Sequence, residues 1–223
     1  KNAAKALLAR VNYYQGDLAT AGSLASEVIA SGDFSLTAGS SYLAQWADIG
    51  YSPDAIFDVV QNSLDNIGSD AVGGMYNGSG YGDYLPSLDL VDIIDDNDLR
   101  KQLFVVDSKI GGGIFGDLRV AKYPSNQGFD NTPVIRLSEM YLIRAEARAS
   151  AGDSAGAIQD LMTIRRRAWA DAPDVTATGQ ALLDEIAKEK RIELMYEGHR
   201  LFELTNKKQG VTRVNCTAPA GAC

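Results

Sequence analysis

The feature that most limits what this chain can fold into is a pattern that occurs twice, 136 residues apart. Residues 6–29 and 142–165 align so that Ala9 meets Ala145, Gly16-Asp17 meets Gly152-Asp153, Ala21 meets Ala157 and Val28 meets Ile164. Apolar residues recur at helical spacing on both sides of each Gly-Asp pair. Ala4, Leu7, Leu8, Val11 and Tyr14 stripe the first helix, and Leu18, Ala21, Ala25, Val28 and Ile29 the second. Leu137, Tyr141, Ala145 and Arg148 stripe the third, and Ala157, Leu161, Ile164 and Ala168 the fourth. Small residues at a crossing and a tight Gly-Asp turn are what closely packed helical hairpins require, and they are the grammar of tetratricopeptide-like repeats. The expectation is therefore two antiparallel hairpins, over residues 3–31 and 137–169, with Ala9, Ala21, Ala145 and Ala157 at the close crossings.

Between the hairpins the composition changes. Residues 33–132 are rich in Gly, Ser, Asp and Tyr, with short apolar pieces such as "AIFDVV" and "LFVVDSKI" that suit isolated strands. "PSLDLVDIIDDNDLR" reads as one short helix. A loop region this long inside one domain is uncommon unless it has a job. The chain thus divides into a helical hairpin (1–32), a loop-rich insertion with short strands (33–132), a C-terminal helical scaffold (133–206) and an irregular tail (207–223). The fold class expected is mostly α, with tetratricopeptide-like hairpins carrying a large irregular insertion. Lys1 opens directly into a helical pattern, so the chain reads as the later part of something longer.

Composition and charge exclude several functions. A net charge of −8 repels a phosphate backbone, which argues against nucleic acid. No apolar run approaches the roughly 20 residues of a membrane span. One histidine and two cysteines are too few for a two-His or all-Cys zinc site, and no Ser or Cys sits in a nucleophile elbow. No catalytic residue, metal or cofactor is expected. The literal G-x-G-x-x-G in "GGGIFG" (Gly111, Gly113, Gly116) precedes the extended-looking "DLRVAKY" rather than a helix, and reads as a hairpin turn. Cys216 and Cys223 suit either a small disulfide loop or two free thiols. Asn77-Gly78-Ser79 and Asn215-Cys216-Thr217 are glycosylation triplets of the sort that also arise by chance.

The stretch "EKRIELMYEGHRLFEL", residues 189–204, holds the single histidine, His199. Glu189, Glu193 and Glu197 share one helix face, and Leu194, Met195, Tyr196, Leu201 and Phe202 make the segment too apolar for a surface helix. Charges in such company need partners, because an unpaired buried charge is very costly. The reading is a structural ion network of Arg144, Glu146, Glu193, Glu197 and Arg200, with Glu193, Glu197 and Arg200 buried. His199 reads as a hydrogen-bonded residue at a helix end.

At these residues a family resemblance emerges. "RLSEMYLIRAEARA", "GDSAGAIQDLMTIRRRA" and "EIAKEKRIELMYEGHRLFEL" resemble, in order and spacing, the C-terminal region of SusD/RagB proteins. "KALLARVNYYQGDLATAGSLASEVIASGDFSL" resembles the helical hairpin that precedes it in that family, so the match spans about residues 3–206. The family's N-terminal portion, with its signal peptide and lipidated cysteine, has no counterpart here, and the tail "VTRVNCTAPAGAC" departs from the family's ending. The resemblance implies a non-enzymatic lipoprotein on the extracellular face of the outer membrane in Bacteroidetes. It implies capture of oligosaccharide or peptide for a SusC-like TonB-dependent transporter, with membrane contact only through the N-terminal lipid. Two alternatives stand beside it: a self-assembling surface or filament scaffold, and a carbohydrate-active enzyme with an unrecognised carboxylate pair.

Sugar faces stack on flat aromatics while polar side chains hold the hydroxyls. The insertion supplies both. Trp46, Tyr51, Tyr76, Asn77, Tyr81, Asp83 and Tyr84 are the candidate ligand-binding residues, with Gln45 and Asp48 beside them. Trp46 serves equally well as a packing anchor.

Overall fold

Each Gly-Asp pair dictates the same local structure. In a computed structural model describing residues 1–47, 52–77, 81–82, 84–106, 118–125 and 127–210, α1 (Asn2–Gln15) and α2 (Leu18–Ala30) are joined through Gly16 and Asp17. Gly16 takes the left-handed conformation (φ 85°), and the Asp17 carboxylate then caps α2 by accepting from the Thr20 N–H. The second copy joins α6 (Leu137–Ser150) to α7 (Ser154–Ala168), with Gly152 at φ 86° and Asp153 accepting from the Gly156 N–H. The cap dihedrals agree closely, −80° and 74° at Asp17 against −79° and 72° at Asp153. So do the closing hydrogen bonds, Asp17 N–H to the Asn12 carbonyl at 3.0 Å and Asp153 N–H to the Arg148 carbonyl at 2.9 Å. The left-handed residue is why glycine is required, and the orphan N–H groups of the next helix are why aspartate follows it.

The chain divides into two units. The first comprises residues 1–42, 52–58 and 133–209. It holds both hairpins, α8 (Gly179–Glu193), α9 (His199–Asn206), and the two-stranded sheet of β1 (Ala55–Val59) and β4 (Thr132–Arg136), whose outermost residues belong to the other unit. Ala9, Ala21, Ala145 and Ala157 are all fully buried, as expected of close crossings. Hairpins distant in sequence pack through α2 and α6, where a Cβ added at Gly22 would stand 2.7 Å from the Ala147 Cβ. One apolar core gathers Ala6, Ala9, Tyr13, Ala25, Val28, Met140 and Ile143. Another gathers Ala145, Ala157, Leu161, Leu182 and Ile186.

The stripe expected on α1 is corrected. Ala6, Ala9 and Tyr13 face the core, whereas Leu7, Leu8 and Val11 are exposed at 50%, 49% and 41%. Close helix approach selects small side chains, and that selection overrides apolar bulk at this crossing. α8 stops at Glu193, whose carbonyl accepts from Arg136 Nη2 at 3.0 Å, and the chain restarts as α9 after Gly198 at φ 83°.

The second unit comprises residues 43–51, 59–132 and 210–223. Its described elements are short: the end of α3 (Ser40–Ala47), α4 (Val72–Tyr76), α5 (Leu88–Val91), 3₁₀ turns at Gly68–Asp70 and Leu99–Leu103, and the antiparallel strands β2 (Phe104–Val106) and β3 (Leu118–Val120). Phe104 pairs with Val120 and Val106 with Leu118. The "AIFDVV", "LFVVDSKI" and "DLRVAKY" segments thus carry strands, and "PSLDLVDIIDDNDLR" carries a one-turn helix. Residues 111–116, both cysteines, Gly78-Ser79 of the first glycosylation triplet and the whole of the second lie outside the described residues. No described helix is long and apolar enough to cross a membrane.

Candidate functional site

Two constellations compete for a role, one of charges in the helical unit and one of tyrosines in the insertion. The charged one is closed. Arg136, with no exposed side-chain surface, reaches Asp54 at 2.8 Å, Glu193 at 2.8 Å and Glu197 at 2.7 Å. Arg167 also bonds Glu193 and lies 3.3 Å from Asp54, with its guanidinium over the Tyr42 ring. Burial pulls the Arg136 guanidinium pKa down, but Glu197, Asp54 and Glu193 more than offset it and hold it charged. Beside this cluster Lys190 donates to the Tyr13 hydroxyl at 2.6 Å and faces Glu146 and Glu203 at 3.3 and 3.1 Å. Burial likewise works against its charge, and those three groups together raise its pKa.

The expected ion network is therefore partly redrawn. Glu193 and Glu197 are buried and paired, but Arg200 is not buried: its side chain is 50% exposed, 3.9 Å from Glu203 on the next turn of α9. Arg136 and Arg167 fill the role assigned to it, because β4 and α7 end inside the core whereas Arg200 follows a helix restart that turns it outward. Arg144 pairs with Asp160 at 2.7 Å, not with the Glu189–Glu197 face, and Glu146 finds Lys190. Glu189 belongs to Arg165 at 2.8 Å. His199 is buried as the first residue of α9, 4.0 Å from Glu139, and burial lowers its pKa against the pull of that carboxylate. Sequence reading missed Arg136, Arg167 and Asp54. The signal was present in "VIRLSEMY" and "IRRRA", arginines at the ends of elements too apolar to release them to solvent.

The tyrosine constellation is open. Gly73 and Gly74 lie within α4 because neighbours crowd them: a Cβ at Gly73 would meet Asp130 Oδ2 at 2.6 Å, and one at Gly74 the Ser69 carbonyl at 2.0 Å. Anchored this way, α4 presents Tyr76, whose ring stacks on buried Tyr123 at 6.2 Å and meets Tyr84 edge-on at 6.1 Å. The following loop folds back on α4, with the Tyr81 N–H donating to the Gly74 carbonyl and the Tyr84 N–H to the Met75 carbonyl. Tyr81 and Tyr84 stay 54% and 59% exposed, and the Tyr81 hydroxyl is pinned by donation to Asp70 at 2.9 Å. The Asn77 amide donates to the Ser125 carbonyl at 3.1 Å. Asp130, under α4, accepts from the Ser125 N–H. Burial pushes its carboxyl up to about 6, against that hydrogen bond.

Of the seven candidate ligand residues, Tyr76, Asn77, Tyr81 and Tyr84 lie on α4 or the loop that follows it. Trp46 does not present a face: it is 7% exposed, with the Lys122 ammonium 4.2 Å from its ring centroid. A large aromatic in a glycine-poor helix packs where it can be covered. Tyr51 and Asp83 lie outside the described residues. Tyr123 and Asp130 were missed, and nothing in their local sequence marks them. Among the described residues no group of His, Cys, Asp or Glu is arranged to hold a metal ion.

Comparison with known proteins identifies the architecture. The SusD family model matches residues 115–208. The SusD-like protein P25 of Formosa agariphila is 30% identical over 144 residues, which is 60% of this chain and 27% of that protein. The crystal structure of a SusD superfamily protein from Bacteroides vulgatus superimposes with a TM-score of 0.83 at 29% identity, over 95% of this chain and 50% of that one. A second Bacteroides vulgatus structure, described as a putative sugar binding protein, gives a TM-score of 0.80 at 28% identity over 96% of this chain and 48% of that one. The chain thus spans about half the length of these solved relatives. The C-terminal half, with the second hairpin and the Glu-Gly-His-Arg segment, matches the SusD family model, and the chain shares the fold of SusD superfamily proteins over 95% of its length.

Proposed function

We propose that this chain is the ligand-presenting part of a non-enzymatic cell-surface protein. It captures oligosaccharides outside the outer membrane and passes them to a SusC-like TonB-dependent transporter. The observation that carries the reading is the pair of exposed, anchored rings Tyr81 and Tyr84 beside the stacked Tyr76 and Tyr123. A sugar's C–H face gains most from a ring that is already immobilised, because little side-chain entropy is left to lose. The match of residues 115–208 to the SusD family model supports the reading, as does the description of a structural neighbour as a putative sugar binding protein. The buried carboxylates support a binding role over hydrolysis. Glu139, Glu189, Glu193 and Glu197 each face a guanidinium, an arrangement that holds a fold rather than donates a proton. Peptides, which also stack on tyrosine, are the second ligand class.

Isothermal titration against the best ligand of a glycan and peptide array tests this. Tyr81→Ala and Tyr84→Ala should each weaken binding by about tenfold to a hundredfold, taking base stacking on aromatics as the analogue, with unchanged melting temperature. Unchanged affinity in both variants overturns the site. One observation favours a second reading, self-assembly. Leu7, Leu8 and Val11 of α1 and Leu201 and Phe202 of α9 are all exposed, and Tyr14 bridges the helices through its ring contact with Phe202. A monodisperse monomer in sedimentation removes that reading.

A further inference from the structure

Resting on the glycan-capture reading, we infer that the tyrosine site selects uncharged oligosaccharides and rejects uronate-rich or sulfated ones. The insertion is the acidic part of the chain: residues 59–132 contain eleven Asp, no Glu and five Lys or Arg. Binding a carboxylate or sulfate calls for a cation with donors to spare, usually an arginine fork. Among the described residues of this segment every cation is buried or engaged. Arg100 is 1% exposed and clamped on Asp98 at 2.6 Å. Lys101 bonds Asp96 and the Ile94 carbonyl. Arg119 is buried and donates to the Leu118 carbonyl, and Lys122 is buried over Trp46.

The acids have the opposite disposition. Asp65, Asp70, Asp92, Asp95 and Asp96 are exposed. Asp70 lies at the platform itself, holding the Tyr81 hydroxyl at 2.9 Å. Any ligand group stacked on Tyr81 lies within a Debye length of that carboxylate, about 8 Å at physiological salt. A second anion there meets repulsion that no exposed, unengaged cation among the described residues of this segment offsets, whereas a neutral sugar can give its hydroxyl protons to the Asp70 oxygens. The carboxylate that anchors the ring thereby also screens the ligand by charge.

The test titrates the intact chain with neutral hexose oligomers (malto-, cello- and manno-series) and size-matched oligogalacturonates and sulfated galactan oligomers, at 0.05 and 0.5 M salt. At low salt at least one neutral series should bind, with the anionic series about tenfold or more weaker. Raising salt should strengthen the anionic series, because screening relieves repulsion. Asp70→Asn, which keeps an acceptor for Tyr81, should narrow the ratio of neutral to anionic affinity by about threefold. Anionic oligomers that bind as tightly as neutral ones, or whose binding weakens with salt, overturn the selectivity while leaving capture intact. Failure of every series overturns the capture reading and the selectivity with it.

Discussion

Replacing Arg136 with alanine removes the hub of the buried charge cluster. Three carboxylates, Asp54, Glu193 and Glu197, converge on two guanidiniums, and all have side chains at most 3% exposed. Without Arg136, Arg167 still serves Asp54 and Glu193, while Glu197 loses both bonds it accepted from Arg136, at 2.8 and 2.7 Å. Breaking one buried pair costs about 3–5 kcal/mol. Losing three partners does not cost three times as much, because a stranded carboxylate can take up a proton instead of staying charged. The expected loss is therefore about 3–5 kcal/mol at pH 8, a large part of a domain's usual stability of about 5–15 kcal/mol. The sign of the pH dependence follows. Stranded carboxylates have folded pKa values above their unfolded ones, so the variant should recover part of the loss as pH falls towards 5. Urea unfolding at pH 8 and pH 5, followed by circular dichroism, measures both. A loss below about 1 kcal/mol at pH 8 with an unchanged m-value would refute the assignment of Arg136 as hub.

The remaining predictions concern sites where geometry sets a sign. Gly22→Ala drives a methyl against Ala147 at 2.7 Å, and should destabilise by about 1–3 kcal/mol despite alanine's better helix propensity, as read from a thermal melt; Gly22→Ala with Ala147→Gly should regain most of it. Arg200→Ala should change stability by less than about 1 kcal/mol, since its pairing with Glu203 is long and half exposed. Asp130 has its folded pKa raised to about 6, so its ionisation weakens the fold as pH climbs from about 4 to 6. Asp130→Asn should therefore gain on the parent by roughly 1–2 kcal/mol between pH 4.5 and 7.5, allowing for screening by water.

The helical frame was legible because its signals are local. A Gly-Asp turn fixes two caps and a left-handed residue, and alanines at the crossing fix the packing distance, all within one short window. The face of α1 was not legible by the same logic. Apolar bulk at Leu7, Leu8 and Val11 mimics a buried stripe, and only the approach of neighbouring helices shows that Ala6 and Ala9 are the inner residues. The ion network shows the same division. That Glu193 and Glu197 must be paired follows from their company, but the identity of the partner depends on Arg136 arriving from β4, 57 residues earlier than Glu193. At the tyrosine site, Tyr76, Tyr81 and Tyr84 stand together in sequence and could be named. Tyr123 and Asp130 reach α4 only through the fold of the insertion, and Trp46 is covered for the same reason.

The central claim is a division of labour, with helices as scaffold and the tyrosine loop as binding surface. Hydrogen–deuterium exchange of the chain, with and without a saturating concentration of the tightest oligosaccharide from the array, tests it most directly. Protection should appear at residues 70–77 and 81–85, while residues 137–168 and 185–204 remain unchanged. Protection centred on the Glu189–Arg200 stretch, with none around α4, would contradict it.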